Sequence, residues 1–453
     1  MKKNGLLKYF TFFCFLCFAE IAECKLFENV VSYRLENGMK VILIENHKSP
    51  IVKQMVWYKN GASDENIGSG GSAHLLEHLM FRGTKVFKQN RFDEIMSENG
   101  VVDNAFTSQD HTAYHQFADV SKLEVLMLLE ADRMRNLKIS DSNFEKERDI
   151  VYQERRQETE TRPAAVFMEK LREKLWGKHP YSRPVSGKLD EIKKLKKQDV
   201  IDYYERFYTP KNAILVLAGD IDGNTVAPLI YKYYGKLENS AKYKKAPVYL
   251  LQNSGYEEIT VYDDKVQNAR IVYAFAVPSY NLNKKDALSL EILAEYLGAE
   301  KSSPLYKELV EEEKIAASIS VGYGFSARGY GTFSISAVLN ENSELYAKIA
   351  MQDLKNAIKN ALMQINIKEF ENAKKRILAN LVYASDSVES VAYIIGSMAA
   401  SGMNVEDIVS YDEQIKKVSF TDFRNTIESA LGYAPSVMGI LLPKEKNPEE
   451  GDM

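Results

Sequence analysis

The feature that most constrains this chain is a rhythm of segments played twice. Residues 26–235 alternate strand-like and helix-like stretches. Apolar residues come in near-alternation over 41–44 and 51–58. Helical periods follow over 125–134 and 141–160, and 199–207 leads through Tyr208-Thr209-Pro210 into a strand-like run at 213–218. From Gly255 to about residue 442 a similar order returns: strand-like 271–276, helical 286–297, strand-like 333–338, then helices from 344 onward. The order repeats and the residues do not, which points to a duplicated unit of roughly 200 residues. Between the halves, 237–254 is polar, Lys-rich and without a period, and reads as a linker. The expected divisions are 25–236, 237–254 and 255–446, with 447–453 a disordered tail.

Residues 1–24 form a separate element. Lys2, Lys3 and Lys8 make a positive start, and 9–19 is an almost unbroken apolar run that Glu20 ends. Such a run is too short to span a bilayer, where about 20 residues are needed, but suits the core of a signal peptide. The alternative is a buried N-terminal helix. Export places the chain in the cell envelope, with the periplasm as the expected compartment. All three cysteines, Cys14, Cys17 and Cys24, lie in this segment. A processed chain has none, which excludes disulfides, a thiol nucleophile and a cysteine metal site. With 45% hydrophobic and 27% charged residues the composition is that of a globular protein, not a disordered or collagen-like one. The formal net charge of -4 removes the simplest case for a nucleic-acid partner.

Chemistry concentrates in Gly70-Gly71-Ser72-Ala73-His74-Leu75-Leu76-Glu77-His78-Leu79-Met80-Phe81. On a helix, His74 and His78 stand one turn apart on one face, so both imidazoles can reach one metal ion, and Glu77 shares that face. Neutral imidazole suits zinc, and a catalytic zinc takes a third protein ligand while keeping a position for water. Glu77 can then serve as base for that water. The bland alternative is two exposed histidines on an amphipathic helix. Against it, Leu75, Leu76, Leu79 and Met80 make the helix largely apolar, and buried histidines need partners. A third ligand is to be sought in the next long helix, whose start is marked by Ser142 and Glu145 as a capping box. There Glu147, Val151, Glu154 and Glu158 fall on one stripe, beside Ile150; a solvated acidic face is the competing reading.

With Glu154 standing in Glu147-Arg148-Asp149-Ile150-Val151-Tyr152-Gln153-Glu154 downstream of His74-Leu75-Leu76-Glu77-His78, the sequence resembles the pitrilysin/insulinase family of inverted-motif zinc peptidases. Further similar stretches are Gly61-Ala62-Ser63-Asp64-Glu65, Asn104-Ala105-Phe106-Thr107, Thr112-Ala113-Tyr114, His179-Pro180-Tyr181, and Tyr208-Thr209-Pro210 to Ala218-Gly219-Asp220. The resemblance runs along nearly the whole chain after the leader, strongly in the first half and diffusely in the second. It implies one zinc ion per chain held by His74, His78 and Glu154, Glu77 as general base, and Glu147 orienting the site. It also implies an extended peptide substrate lying against an edge strand at Asn104, Ala105 and Phe106; an ordinary strand and turn is the alternative there. The fold it implies is α+β: two homologous halves, each a mostly antiparallel sheet packed with helices.

The second half departs from the family pattern. Where the family carries an Arg and a Tyr seven residues apart that close on the substrate, this chain has Val310 and Ala317, neither of which donates a side-chain hydrogen bond. Arg328 and Tyr330 lie nearby, but no pattern licenses them as replacements. The last histidine is His179, so the second half cannot build a site of this kind. Family members of this length correspond to half of a chamber, which implies a homodimer or a heterodimer with a homologous chain that supplies the Arg and Tyr. Two functions follow as expectations: a zinc endopeptidase, or a catalytically weak peptide-binding subunit.

Overall fold

The computed structural model describes residues 27–444 apart from 28, 89–90, 246, 250, 252–254 and 299, so the leader at 1–24 and the tail at 447–453 lie outside the described residues. Among the described residues eleven strands form two sheets: β1 (Val30–Arg34), β2 (Lys40–Glu45), β3 (Ile51–Tyr58), β4 (Val102–Thr107), β5 (Thr112–Asp119) and β6 (Ala213–Gly219) in the first, and β7 (Tyr256–Asp263), β8 (Arg270–Pro278), β9 (Ala316–Tyr323), β10 (Tyr330–Leu339) and β11 (Ser436–Pro443) in the second. Between Gly235 and Tyr256 the described residues form no helix or strand.

The two sheets share one connectivity. The first has the order β1-β2-β6-β3-β5-β4 and the second β7-β11-β8-β10-β9. In each, the opening strand of the unit pairs parallel with the last (β2 with β6, β7 with β11), and every other pairing is antiparallel. β1 is the only addition. The fold is therefore α+β with two halves of one topology, and β4 and β9 are the equivalent edge strands.

Strand composition follows from burial on both faces. β2 reads KVILIE: Val41 and Leu43 enter the core beneath the helices of the first half, while Ile42 and Ile44 enter a core shared with the second half. β6, in mid-sheet, is buried at every position. Along β10, in contrast, buried and half-buried residues alternate strictly, the mark of a strand with one wetter face.

Each half covers the other's sheet with one helix. The helix Val388–Ser401 packs on β3 and β6, and the helix Pro163–Trp176 packs on β7, β8 and β11. Both crossings are close enough to require glycine. A Cβ on Gly396 would sit 2.1 Å from Nε1 of Trp57, and one on Gly439 would sit 2.7 Å from Cζ of Phe167. The halves thus share a core in which Ile42, Trp57 and Ala113 meet Ile395 and Ala399.

The start of the glutamate helix corrects the sequence reading. The helix runs Asp141–Thr161 and its N-cap is Ser140, whose hydroxyl accepts from the Asn143 N–H at 3.1 Å. Ser142 and Glu145 are not a capping box: the chain turns helical before Ser142, and Glu145 instead accepts from Arg148. Pro163 ends this helix by disfavouring helical geometry at Arg162, and itself occupies the first position of the next.

Candidate metal centre

The motif helix, Ser72–Leu79, has Gly71 at its N-cap in the left-handed region, φ 91°, with no side-chain cap of its own. The carboxylate of Glu65 takes that role, accepting from the Gly71 N–H at 3.1 Å and the Ala73 N–H at 2.8 Å. Two otherwise orphaned donors are satisfied from a turn upstream in sequence. Burial pushes the Glu65 carboxyl up to about 8, against the pull of these N–H groups. On the helix, Leu75, Leu76, Leu79 and Met80 are buried at 0–1% exposure, which fixes the rotation that turns His74 and His78 outward together.

That face meets the glutamate helix. Ligand atoms of His74, His78 and Glu154 lie within 4.8 Å of one another, forming the one such group among the described residues. Nε2 of His78 is 3.5 Å from Oε2 of Glu154, and its Nδ1 is 3.3 Å from Oε2 of Glu147. Arg82 holds the other Glu147 oxygen at 2.7 Å. Glu147 is thereby pinned on the His78 ring, the arrangement that fixes which imidazole nitrogen is offered to a metal. Of the acidic stripe, Glu147 is buried, Glu154 is half exposed toward the cleft, and Glu158 pairs with Arg155. Ile150 is 41% exposed, so the stripe turns inward at Glu147 and Val151, not at Ile150.

The electrostatics invite a cation. Burial, then the neighbouring His78, brings His74 down to about 4, so its imidazole is neutral at pH 7. For His78 burial acts downward, but Glu147, Glu154 and Glu77 outweigh it and the net shift is upward. Three carboxylates converge on two imidazoles, and the buried Nδ1 of His74 has no partner. Two imidazoles with one carboxylate is a donor set of catalytic zinc, so the residues present fit the ion.

Glu77 sits beside this group. Burial raises its carboxyl above the usual range, opposed by the Thr107 hydroxyl, which donates to Oε2 at 2.5 Å. Thr107 ends the edge strand β4, and a cleft of about 660 Å³ is bounded by His74, Glu77 and Glu154 on one side and by Ala105, Phe106 and Thr107 on another. Of the three residues expected to meet substrate, Ala105 and Phe106 line this cleft. Asn104 does not, and its side-chain oxygen accepts from the Ala105 N–H.

Sequence reasoning missed Thr107 and Glu65, although both stood inside stretches already singled out; what was lacking was the contact each makes. It also missed a clamp between the halves. Arg328, in the loop joining β9 and β10, donates to both oxygens of Asp64 at 2.7 and 2.9 Å and to the Asp110 carbonyl at 2.8 Å. The hydroxyl of Tyr181 donates to Asp110. Arg328 is therefore engaged away from the cleft. His179 caps its own turn by accepting from the Tyr181 N–H, which accounts for the His179-Pro180-Tyr181 stretch. Val310 packs against the shared core, and Ala317 is exposed at the start of β9.

A duplicated α+β frame with a two-histidine, one-glutamate group in the first unit defines the architecture of a zinc-peptidase family. The description "Insulinase (Peptidase family M16)" matches residues 40–188, and "Peptidase M16 inactive domain" matches 194–377. The chain belongs to peptidase family M16. It is 28% identical over 402 residues to the zinc protease PqqE of Helicobacter pylori, covering 86% of this chain and 88% of that one. It is 27% identical over 372 residues to a probable mitochondrial-processing peptidase subunit beta of Schizosaccharomyces pombe, covering 80% of each. The crystal structure of a protease from Helicobacter pylori superposes with a TM-score of 0.84 at 26% identity, over 91% of this chain and 99% of that one. The inactive-domain match starts inside the first structural unit, whose last strand β6 ends at Gly219. No helix among the described residues is long and apolar enough to cross a membrane.

Proposed function

We propose that the chain is a zinc-dependent endopeptidase of the cell envelope that hydrolyses peptides or unstructured segments, with one zinc ion held by His74, His78 and Glu154 and with Glu77 as general base. The observation that carries this is the convergence of two imidazoles and a carboxylate next to a second, half-buried carboxylate, in a cleft walled by an edge strand. When bound, zinc supplies a Lewis acid for the scissile carbonyl and lowers the pKa of its water toward about 7. Glu77 takes the proton from the attacking water and returns it to the leaving amine nitrogen. Its desolvation strengthens it as a base, and Thr107 holds Oε2 so that Oε1 is left for the water. Glu147 keeps Nδ1 of His78 occupied and directs Nε2 to the ligand position. An extended peptide adds to the free edge of β4 through main-chain hydrogen bonds, with Ala105 and Phe106 beneath it.

A homologous partner chain belongs to the reading. Val310 and Ala317 leave the second half without the donors that family members close on substrate, each of which is worth a few kcal/mol in the transition state. The fission-yeast relative is named as a probable peptidase subunit beta, which supports a dimer, homologous or mixed. The same two residues favour a second reading, a peptide-binding subunit with weak catalysis of its own. Peptide hydrolysis by the chain from Lys25 onward, with zinc determined alongside and Glu77→Gln as control, separates them. Cleavage that the variant loses while keeping zinc establishes the peptidase. Zinc without cleavage, rescued by a homologous partner, establishes the subunit. A chain that holds no zinc sinks both.

A further inference from the structure

Beyond Glu154 the cleft wall is built by the end of the glutamate helix and by the helix Pro163–Trp176, and its charges do not cancel. Arg155 consumes two of the wall's carboxylates: it donates to both oxygens of Glu169, at 2.5 and 2.6 Å, and to Glu158 at 3.3 Å. The other two carboxylates lining the cleft, Glu77 and Glu154, are those assigned above to the base and the metal. Two cations remain. Arg172 and Arg162 line the same cleft, and among the described residues neither guanidinium has a carboxylate within 4.0 Å or donates a hydrogen bond. Arg172 is half-buried on the face of its helix that also carries Glu169, and Arg162 stands at the corner where the two helices join.

A half-buried guanidinium whose five donors meet no protein acceptor is free to take a ligand, and its planar fork matches a carboxylate in two-pronged fashion. A basic peptide finds no free acid on this wall, since Glu158 and Glu169 are already held on Arg155. The geometry points to a carboxylate-binding subsite centred on Arg172, with Arg162 beside it in the lining, through which the chain selects peptides that carry a negative charge. This rests on the peptidase reading and names its substrate class. The carboxylate can come from an Asp or Glu side chain or from the peptide's C-terminus; the chemistry at Arg172 is the same.

Binding, not turnover, tests it. The zinc-loaded Glu77→Gln chain is titrated by fluorescence anisotropy with short unstructured peptides in two matched pairs: one with an internal Asp against Asn, both amidated, and one without acidic side chains bearing a free against an amidated C-terminus. One pair is expected to show about a tenfold preference for the charged member, the size of one partly desolvated charge-assisted contact. The pair that shows it identifies the source of the carboxylate. In Arg172→Gln that ratio collapses toward one, in Arg172→Lys part of it survives, and in Arg172→Glu a Lys-bearing peptide is favoured, each variant being checked for an unchanged thermal transition. Equal binding within both pairs overturns the subsite, as does a preference that persists when Arg172 and Arg162 are both replaced by Gln. Hydrolysis by the wild-type chain is measured in parallel. Its absence, unrescued by a homologous partner, alongside an Arg172-dependent preference removes the peptidase reading and leaves the subsite standing.

Discussion

Replacing Arg328 with Ala tests how the two halves are held. The side chain of Asp64 is 0% exposed and that of Arg328 12%, so the pair lies in a region where solvent screens little. Removal of Arg328 strips Asp64 of both guanidinium contacts, leaving only the Gly61 N–H at 3.0 Å, and also frees the Asp110 carbonyl. Removing one partner of such a buried pair costs about 3–5 kcal/mol, most of it the burden of an uncompensated charge. The variant can reduce that by taking up a proton. Burial already raises the Asp64 carboxyl above the usual carboxylate range despite Arg328, and without Arg328 it rises further. A folded-state pKa above the unfolded one favours folding below the unfolded pKa, and that advantage is lost as pH climbs through the folded pKa. The deficit of Arg328→Ala should therefore be smaller at pH 5 than at pH 8. Urea unfolding reads it directly, because the chain's two tryptophans both sit where the halves cross: Trp57 under the helix Val388–Ser401 and Trp176 in the helix on the second sheet. Asp64→Asn should recover much of the loss in the Arg328→Ala background by removing the stranded charge. A deficit under about 1 kcal/mol at pH 8, set against the range for buried pairs, or one that Asp64→Asn leaves unchanged, would refute the clamp.

Three further outcomes follow from the site and the crossings. Glu147→Gln should bind zinc about 10–100-fold more weakly in competition with a chromophoric chelator, because the ring of His78 loses its charged anchor. Thr107→Val should lower kcat about tenfold with little change in KM, and Thr107→Ser should restore it, since only the hydroxyl that holds Glu77 is at stake. Gly396→Ala should cost about 1–3 kcal/mol or more in urea unfolding by forcing its helix off Trp57, with Trp57 fluorescence altered already in the native state.

The sequence disclosed most where a single period or a single turn of helix settles the matter. β3 and the long helices stood out because apolar residues recur at strand or helix spacing over 51–58, 125–134 and 141–160. His74, Glu77 and His78 were legible because one helical turn guarantees their proximity. Glu154 needed the family resemblance, since on its own helix it is one of several glutamates, and only the packing of that helix on the motif helix singles it out. The exchange of covering helices between halves left no local trace: Gly396 and Gly439 look like ordinary weak points of a helix and a strand until Trp57 and Phe167 are placed against them. The clamp that Arg328 makes was hidden for the same reason, its partners Asp64 and Asp110 being far off in the chain. The misplaced capping box shows the limit from the other side, because Ser140 and Ser142 both offer a hydroxyl and only the backbone decides which one caps.

The shared topology explains how the second unit does without a metal. The helix Lys284–Gly298 follows β8 as the motif helix follows β3, and the helix Ile367–Ser385 follows the β9–β10 hairpin and one long helix, as Asp141–Thr161 follows β4–β5 and its own. In the first unit His74 and His78 lie one turn apart and Glu147 reaches across to His78. In the second, Glu291 and Glu295 lie one turn apart, and Arg376 reaches across to Glu295 at 2.7 Å. The equivalent crossing is thus closed by a direct ion pair. Burial, then the charge of Glu295, pushes the Glu291 carboxyl up to about 7. Arg376→Met should therefore leave zinc content unchanged while destabilising the chain. The cost should be about 2–4 kcal/mol, somewhat below the fully buried range because the Arg376 side chain is 24% exposed and that of Glu295 12%. Adding Glu295→Leu should recover most of the loss, since an apolar pair of similar volume fills the crossing without a stranded charge. If Arg376→Met unfolds at the wild-type urea concentration, the pair does not hold that crossing. If the variant instead gains a second equivalent of zinc, the second unit has kept a latent metal site that the ion pair was masking.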